Sequence, residues 1–197
     1  MSFWDSILGR RKPARANLDA LFALPGAAIT LETAAGFVAT GVGSVCYREA
    51  EGAAFARTQA DIVELLHAGD GPQVERTVDD YGFTWLITGR EQADISELVT
   101  DLHAVNTTLE AEGFGPGLLC SLVTFVDASG RSLGLVYLYK QGTFYPFAPS
   151  GRSGGDAGPS RQRDNVLELQ IRDLLAGELP MEPQLNRWMA VWGAPGL

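Results

Sequence analysis

The side chains best suited to catalysis or metal binding are scarce in this sequence. Two histidines and two cysteines stand among 197 residues, and neither His67 nor His103 has a partner at the spacing of a metal ligand set. His103 follows Asp101 by two residues, which places the two side chains on different faces of a helix. The sequence therefore predicts no metal site, no cofactor and no catalytic residue.

Two glycine-containing segments match known functional motifs in residue sequence but not in the secondary structure predicted around them. Gly151–Gly155 has the G-x-S-x-G form of a nucleophile elbow, but it lies in a Ser-, Gly-, Pro- and Arg-rich stretch instead of a strand-to-helix turn. Gly113–Gly117 follows a predicted helix, whereas a phosphate-binding loop precedes one. We expect a protein that is not an enzyme. The alternative is a small-molecule-binding or hydrolytic domain with a cleft lined by Asp101, His103 and tyrosines.

The two cysteines, Cys46 and Cys120, each lie in an apolar segment. Two isolated cysteines do not make a disulfide framework in a chain of this length. We expect two buried thiols that pack as small apolar side chains, with a disulfide as the alternative.

The first 16 residues combine an apolar stripe with a cluster of positive charges. In a helix, four apolar side chains at spacings i, i+1, i+4 and i+5 from Phe3 would share one face, and three consecutive cations follow them. Segments of this kind bind a membrane interface or a partner helix, although a frayed or locally packed terminus is the alternative. The candidate contact residues are Phe3, Trp4, Ile7, Leu8, Arg10, Arg11 and Lys12.

A second candidate contact surface is a pair of tyrosines in a predicted strand. Tyr137 and Tyr139 share one face by period-two alternation, opposite Val136 and Leu138. Half-exposed tyrosines favour protein interfaces, so we expect a tyrosine-rich face that binds a partner. The alternative is a second sheet face covered by the C-terminal helices, with Trp188 and Trp192 packing there.

The periodicity of apolar residues predicts an α+β fold. The expected sheet is mainly antiparallel, with two hairpin or meander units, helices packed on one face and two C-terminal helices. A single domain is expected over residues 17–197, with a flexible loop at about residues 149–163. The predicted helices cover 13–25, 52–68, 93–111, 164–177 and a segment that opens at Pro183; the predicted strands cover 28–31, 44–48, 74–78, 83–87, 118–126, 133–140 and 143–147, the last at a sheet edge because of Pro146.

Charge and hydropathy exclude several classes of protein. Acidic residues outnumber basic ones by 24 to 15, and the formal net charge of −9 argues against nucleic-acid binding. Residues 1–16 carry a net charge of +3, so the rest of the chain carries −12. No apolar run approaches 18 residues, and the N-terminal charges follow the apolar stretch instead of preceding it. We therefore expect a cytoplasmic protein without a membrane-spanning helix.

Six segments match a known family in the same order along the chain. They are Leu18–Pro25 (LDALFALP), Gly43–Arg48 (GSVCYR), Thr100–Asn106 (TDLHAVN), Gly113–Pro116 (GFGP), Leu135–Lys140 (LVYLYK) and Trp192–Leu197 (WGAPGL). With these segments, the chain resembles the PspA-associated protein PspAB family of actinobacteria over nearly its whole length.

The resemblance implies an accessory role in a phage-shock or envelope-stress response. PspA, a coiled-coil protein that coats stressed membrane, or the membrane protease HtpX is the implied protein partner. The family supplies no catalytic residue and no cofactor, so the implied role is that of a cytoplasmic adaptor or regulator, peripheral at the inner face of the membrane. A homodimer of this chain is a further alternative, as is a dimeric binding module like the type III secretion chaperones, the latter by analogy of fold alone.

Overall fold

The computed structural model describes residues 16–67, 73–90, 94–150 and 162–197. Its helices are α1 (Leu24–Thr30), α2 (Ala53–His67), α3 (Ile95–Ala111) and α4 (Asn165–Leu175). Its strands are β1 (Phe37–Tyr47), β2 (Gln73–Val78), β3 (Thr84–Gly89), β4 (Leu118–Asp127), β5 (Ser132–Leu138) and β6 (Thr143–Phe147). The strands form one six-stranded sheet in the order β2-β3-β1-β4-β5-β6, with every neighbouring pair antiparallel.

The predicted α+β class and the two units of short-turn strands are confirmed. The β2–β3 hairpin and the β4–β5–β6 meander lie on opposite sides of β1, which joins them into one sheet. Strand β6 lies at a sheet edge, as the missing amide proton of Pro146 predicted.

The structure corrects the prediction for residues 13–48. Ala28–Leu31, predicted as a strand, lies in helical backbone. Pro25, predicted to end a helix, lies in the first turn of α1, where an N–H would have no acceptor within that helix and proline is therefore tolerated. Strand β1 is longer than predicted because the glycine-rich stretch before Ser44 is a bulged part of it. At Gly43 an added Cβ would lie 3.1 Å from the Cδ1 atoms of Leu98 and Leu102, so glycine lets α3 pack closely.

The helical stretch Leu18–Ala35 is apolar over more residues than the sequence led us to expect of any segment. It has 18 residues with a mean hydropathy of 1.3, so by length and composition it could cross a membrane. One face of the stretch (Leu21, Leu24, Ala27 and Leu31) is buried in the core. A core helix of a folded domain meets the same criterion, so the segment is weak support for a membrane span.

Both faces of the sheet are covered over β4, β5 and β6. The helices pack on one face, here called the helix face, around a core that includes Leu102, Phe125 and Tyr137. The opposite face, here called the outer face, carries a second apolar cluster that includes Cys46, Trp85 and Tyr145. Cys46 and Cys120 are cross-strand partners in this cluster and are both free and buried, as predicted.

The C-terminal region differs from the predicted pair of helices. After α4 the chain forms only a short 3₁₀ turn at Leu185–Arg187 and then continues across the outer face. Trp188 stacks on Tyr145 with ring centroids 5.8 Å apart, and its Nε1 donates to the carbonyl oxygen of Glu182 at 3.1 Å. The rest of this segment is irregular, with turns in which Gly193 and Gly196 adopt positive φ, and it places Trp192, Ala194 and Leu197 against the outer-face cluster.

Candidate binding edge and groove

The two edges of the sheet differ in how their backbone groups are used. At the β6 edge, Phe144 N donates to Pro180 O at 2.8 Å and Glu182 N donates to Phe144 O at 2.7 Å. Ser150 N donates to Gln162 O at 2.8 Å, which pairs the two ends of the predicted 149–163 loop; residues 151–161 lie outside the described residues. The chain itself therefore closes this edge.

Strand β2 forms the opposite edge and pairs only with β3 among the described ranges. Asp79 N donates to Phe83 O at 2.9 Å, which makes this a hydrogen-bonded pair of the hairpin. Because such pairs alternate with non-hydrogen-bonded ones, the N–H and C=O groups of Val74, Arg76 and Val78 point away from β3. This row of backbone groups is what a further strand would pair with.

A groove of about 390 Å³ lies on the outer face beside this edge. The β2–β3 hairpin forms one wall, with Asp79 and Tyr81, and the C-terminal segment forms the other, with Trp192 and Pro195. Trp85 and Ile87 also line it. Tyr81 is 64% exposed, so the groove presents an aromatic side chain together with carboxylates to solvent.

Asp79 fixes the shape of the hairpin that walls this groove. Its Oδ1 accepts from the backbone N–H groups of Tyr81 and Phe83, both at 2.9 Å, and its Oδ2 accepts from Trp85 Nε1 at 3.0 Å. Partial burial opposes ionisation, but these hydrogen bonds outweigh it and hold the pKa of Asp79 below its usual range. The carboxylate therefore stays charged at the mouth of the groove.

On the helix face, a shallow cleft of about 730 Å³ runs between α2 and β2. Small and apolar side chains of α2, including Ala60 and Val63, line it together with Glu64 and Arg76. The guanidinium of Arg76 donates from Nε to Glu49 Oε1 at 3.0 Å, and its Nη2 contacts the same oxygen. This hydrogen-bonded pair lowers the pKa of Glu49 and offsets the charge of Arg76.

The structure does not form the predicted tyrosine surface. Tyr137 is fully buried and Tyr139 is 7% exposed, so the expectation of half-exposed tyrosines is wrong. Both side chains face the helices, and Tyr137 donates its hydroxyl to Asn17 O at 2.8 Å. The opposite side chains, Val136 and Leu138, face the C-terminal segment, so both faces of β5 are covered.

The other predicted contact residues, Phe3, Trp4, Ile7, Leu8, Arg10, Arg11 and Lys12, lie outside the described residues. Their role in partner binding stays a prediction.

The structure does not bring together the residues of the alternative catalytic cleft. Asp101 accepts hydrogen bonds from Arg90 Nε at 2.7 Å and from Arg90 Nη2 at 2.9 Å, so both of its carboxylate oxygens are paired with this guanidinium. His103 instead lies against Phe22, with ring centroids 4.7 Å apart, and its Nε2 is 3.6 Å from Asp19 Oδ1. The two side chains serve separate contacts between elements.

Sequence reasoning did not single out the groove residues as a site. It interpreted Asp79–Gly82 as a turn, which is correct, but a turn pattern says nothing about what its side chains face across the sheet. A usable signal was the polar character of Glu75, Arg76 and Thr77, because a strand with so few apolar residues belongs at an open edge.

In the residues that the structure describes, these features define an α+β protein with a single antiparallel sheet, one edge that the chain itself closes and one open edge beside an aromatic groove. The profile of the family PspA associated protein B matches residues 1–196, and the chain therefore belongs to that family. No curated protein and no solved structure matches the chain.

Proposed function

We propose that this chain is a non-enzymatic adaptor or regulator that binds PspA directly. Family membership supports a role linked to PspA. The observation that carries direct binding is the outer-face groove, where tyrosine and tryptophan side chains lie beside carboxylates at the surface. Aromatic residues of this kind dominate the binding energy of protein interfaces.

The proposal is tested by measuring the affinity of purified PspA for the full chain and for two single variants. Tyr81→Ala removes the most exposed aromatic side chain of the groove. An interface anchor of this type contributes about 2 kcal/mol, so we expect an affinity loss of about 30-fold.

Phe22→Ala is the matched control, because Phe22 is a 49% exposed aromatic residue that packs against His103 of α3, away from the groove. We expect it to bind PspA as the unmodified chain does. Absence of any binding between PspA and the unmodified chain would overturn the proposal. Equal losses for the two variants would show that the groove is not the contact surface.

The proposed location is the cytoplasm, at the inner face of the membrane where PspA acts. HtpX and an anionic membrane surface are further proposed partners, and the predicted N-terminal contact residues are the proposed means of reaching them. Co-sedimentation with anionic vesicles, with and without residues 2–12, tests this part separately. Three clustered bases contribute about 1 kcal/mol each near an anionic surface, so deletion should abolish weak vesicle binding and leave PspA binding through the groove unchanged.

A further inference from the structure

We infer that strand β2 receives an extended, basic segment of the partner as an additional strand of the sheet. The inference rests on the proposed function, because the partner supplies this strand. Three observations support it: the open backbone edge of β2, an apolar recess on each side of that edge, and the carboxylates that lie near it.

The backbone of β2 determines the conformation of the bound segment. The outward N–H and C=O groups of Val74, Arg76 and Val78 have no partner among the described parts of the chain. An extended segment satisfies such groups with its own backbone, whereas a helix has already used its N–H and C=O groups internally. The edge therefore selects a strand.

The recesses beside β2 determine where the side chains of the bound segment go. Successive side chains of a strand point to opposite faces of a sheet. On one face they would enter the groove that contains Trp85 and Trp192, and on the other the cleft that contains Ala60 and Val63. Apolar side chains of the added strand thus have a surface to bury against on either face.

The charges at this edge favour a basic segment. Glu64 lies in the cleft, Asp79 and Asp80 line the groove, and Glu75 stands on β2 itself. Arg76, the cation on β2 itself, is already paired with Glu49. Excess negative charge attracts a positively charged partner and speeds its association.

The same charges disfavour a second copy of this chain as the occupant. Antiparallel pairing of β2 with β2 of another copy would bring two sets of these carboxylates together. Like charges facing one another across an interface cost several kcal/mol. The chain beyond residue 16 also carries a net charge of −12, so two such bodies repel.

Two single variants test the added strand. Val78→Pro removes an outward N–H without removing a bond to β3, and Val78→Thr is its matched control because it keeps both the N–H and the β-branched shape. Glu75→Lys reverses a charge on β2 without altering the backbone, and Glu32→Lys makes the same change at an exposed position on the N-terminal helical stretch.

The probes are full-length PspA and a capped ten-residue peptide that alternates Arg and Val, with a Glu and Val peptide as the charge control. We expect the Arg peptide to bind and to slow amide exchange at Val74, Arg76 and Val78. Val78→Pro and Glu75→Lys should weaken binding at least tenfold, and the two control variants should not. The Glu peptide should not bind.

The outcomes separate this inference from the proposed function. If PspA binds the unmodified chain and Val78→Pro equally, the added strand is overturned and the proposed function stands. If the Arg peptide slows exchange at β2 but PspA does not bind, the proposed function is overturned and the strand site stands. If the chain dimerises alone and Val78→Pro makes it monomeric, a second copy occupies the edge and the inference is wrong.

Discussion

At the scale of single residues, this protein uses its buried charges to join segments that are distant in sequence. Glu168 Oε1 accepts from Ala148 N and from Arg163 Nε, each at 2.9 Å. Arg163 in turn donates from Nη1 to Trp188 O at 2.7 Å and lies over the ring of Phe147. One ion pair thus connects the end of β6, the start of α4 and the C-terminal segment.

Glu168→Gln should lower the free energy of unfolding by about 3 kcal/mol, because it leaves the guanidinium of Arg163 without its counter-charge in a largely buried position. Denaturant unfolding measures this change. Asp173→Asn, which alters the more exposed pair with Arg172, is the control and should leave the unfolding midpoint unchanged. Similar losses for the two variants would contradict the role given to the buried pair.

Asp127 should make stability depend on acid pH. Burial opposes its ionisation, but hydrogen bonds from Ser129 and Arg131 outweigh this and hold its pKa well below the ordinary value of 3.8. A carboxyl whose folded-state pKa is depressed stabilises the fold above its unfolded pKa, and this contribution is lost as the pH falls through the window below that value.

Urea unfolding at about pH 6 and about pH 3 measures this effect. The unmodified chain should lose more stability between the two conditions than Asp127→Asn does. An identical loss in the two proteins would show that Asp127 titrates alike in the folded and unfolded chain.

At the scale of elements, backbone contacts between segments leave some positions without room for a side chain. At Gly117 an added Cβ would lie 2.7 Å from the carbonyl oxygen of Arg48, and Arg48 N donates to Gly117 O at 2.9 Å. This contact holds the start of β4 against the end of β1. Neither atom belongs to a flexible side chain, so the clash cannot be relieved cheaply.

Gly117→Ala should therefore destabilise the fold by about 1–3 kcal/mol, as overpacking does. Gly177→Ala is the matched control, because nothing lies within 4 Å of its added Cβ. The control should be neutral or slightly stabilising, since alanine reduces the entropy of the unfolded chain. Thermal unfolding of the two variants compares them directly, and a neutral Gly117→Ala would contradict the close contact.

The elements also show how far the sequence predicts this fold. The periodicity of α3 and the short turns of the β2–β3 hairpin are local signals, so their positions were predicted within a few residues. Ala28–Leu31 was predicted as a strand because four apolar or β-branched residues fit either type, and only packing in the core selects the helix.

The candidate site was harder to predict than the fold. The turn residues of the hairpin are recognisable, but Trp192 reaches the groove from a segment more than 100 residues further along the chain. The burial of Tyr137 likewise depends on which face of the sheet the helices cover, and alternation alone leaves that choice open.

At the scale of the whole molecule, the protection of backbone amides should follow the strand order. Strands β1 and β4 lie at the centre of the sheet, and β2 lies at its open edge. Central strands open only with global unfolding, whereas outward edge amides exchange with solvent directly.

Residue-resolved hydrogen exchange on the free chain should show fast exchange at Val74, Arg76 and Val78 and slow exchange at Thr77, whose N–H points to β3. The amides of β1 and β4 should be the slowest. If the amide of Val78 exchanges as slowly as that of Thr77, another part of the chain or a second copy covers the edge.

The closed β6 edge has a consequence for assembly. Pairing along a sheet can propagate without limit only when each unit offers two free edges, as in fibrils. Here Pro180–Glu182 occupies one of them, so a chain that accepts a strand at β2 cannot pass the pairing on. Because each copy offers one open edge among its described residues, copies of this chain cannot extend a sheet without limit by pairing with one another.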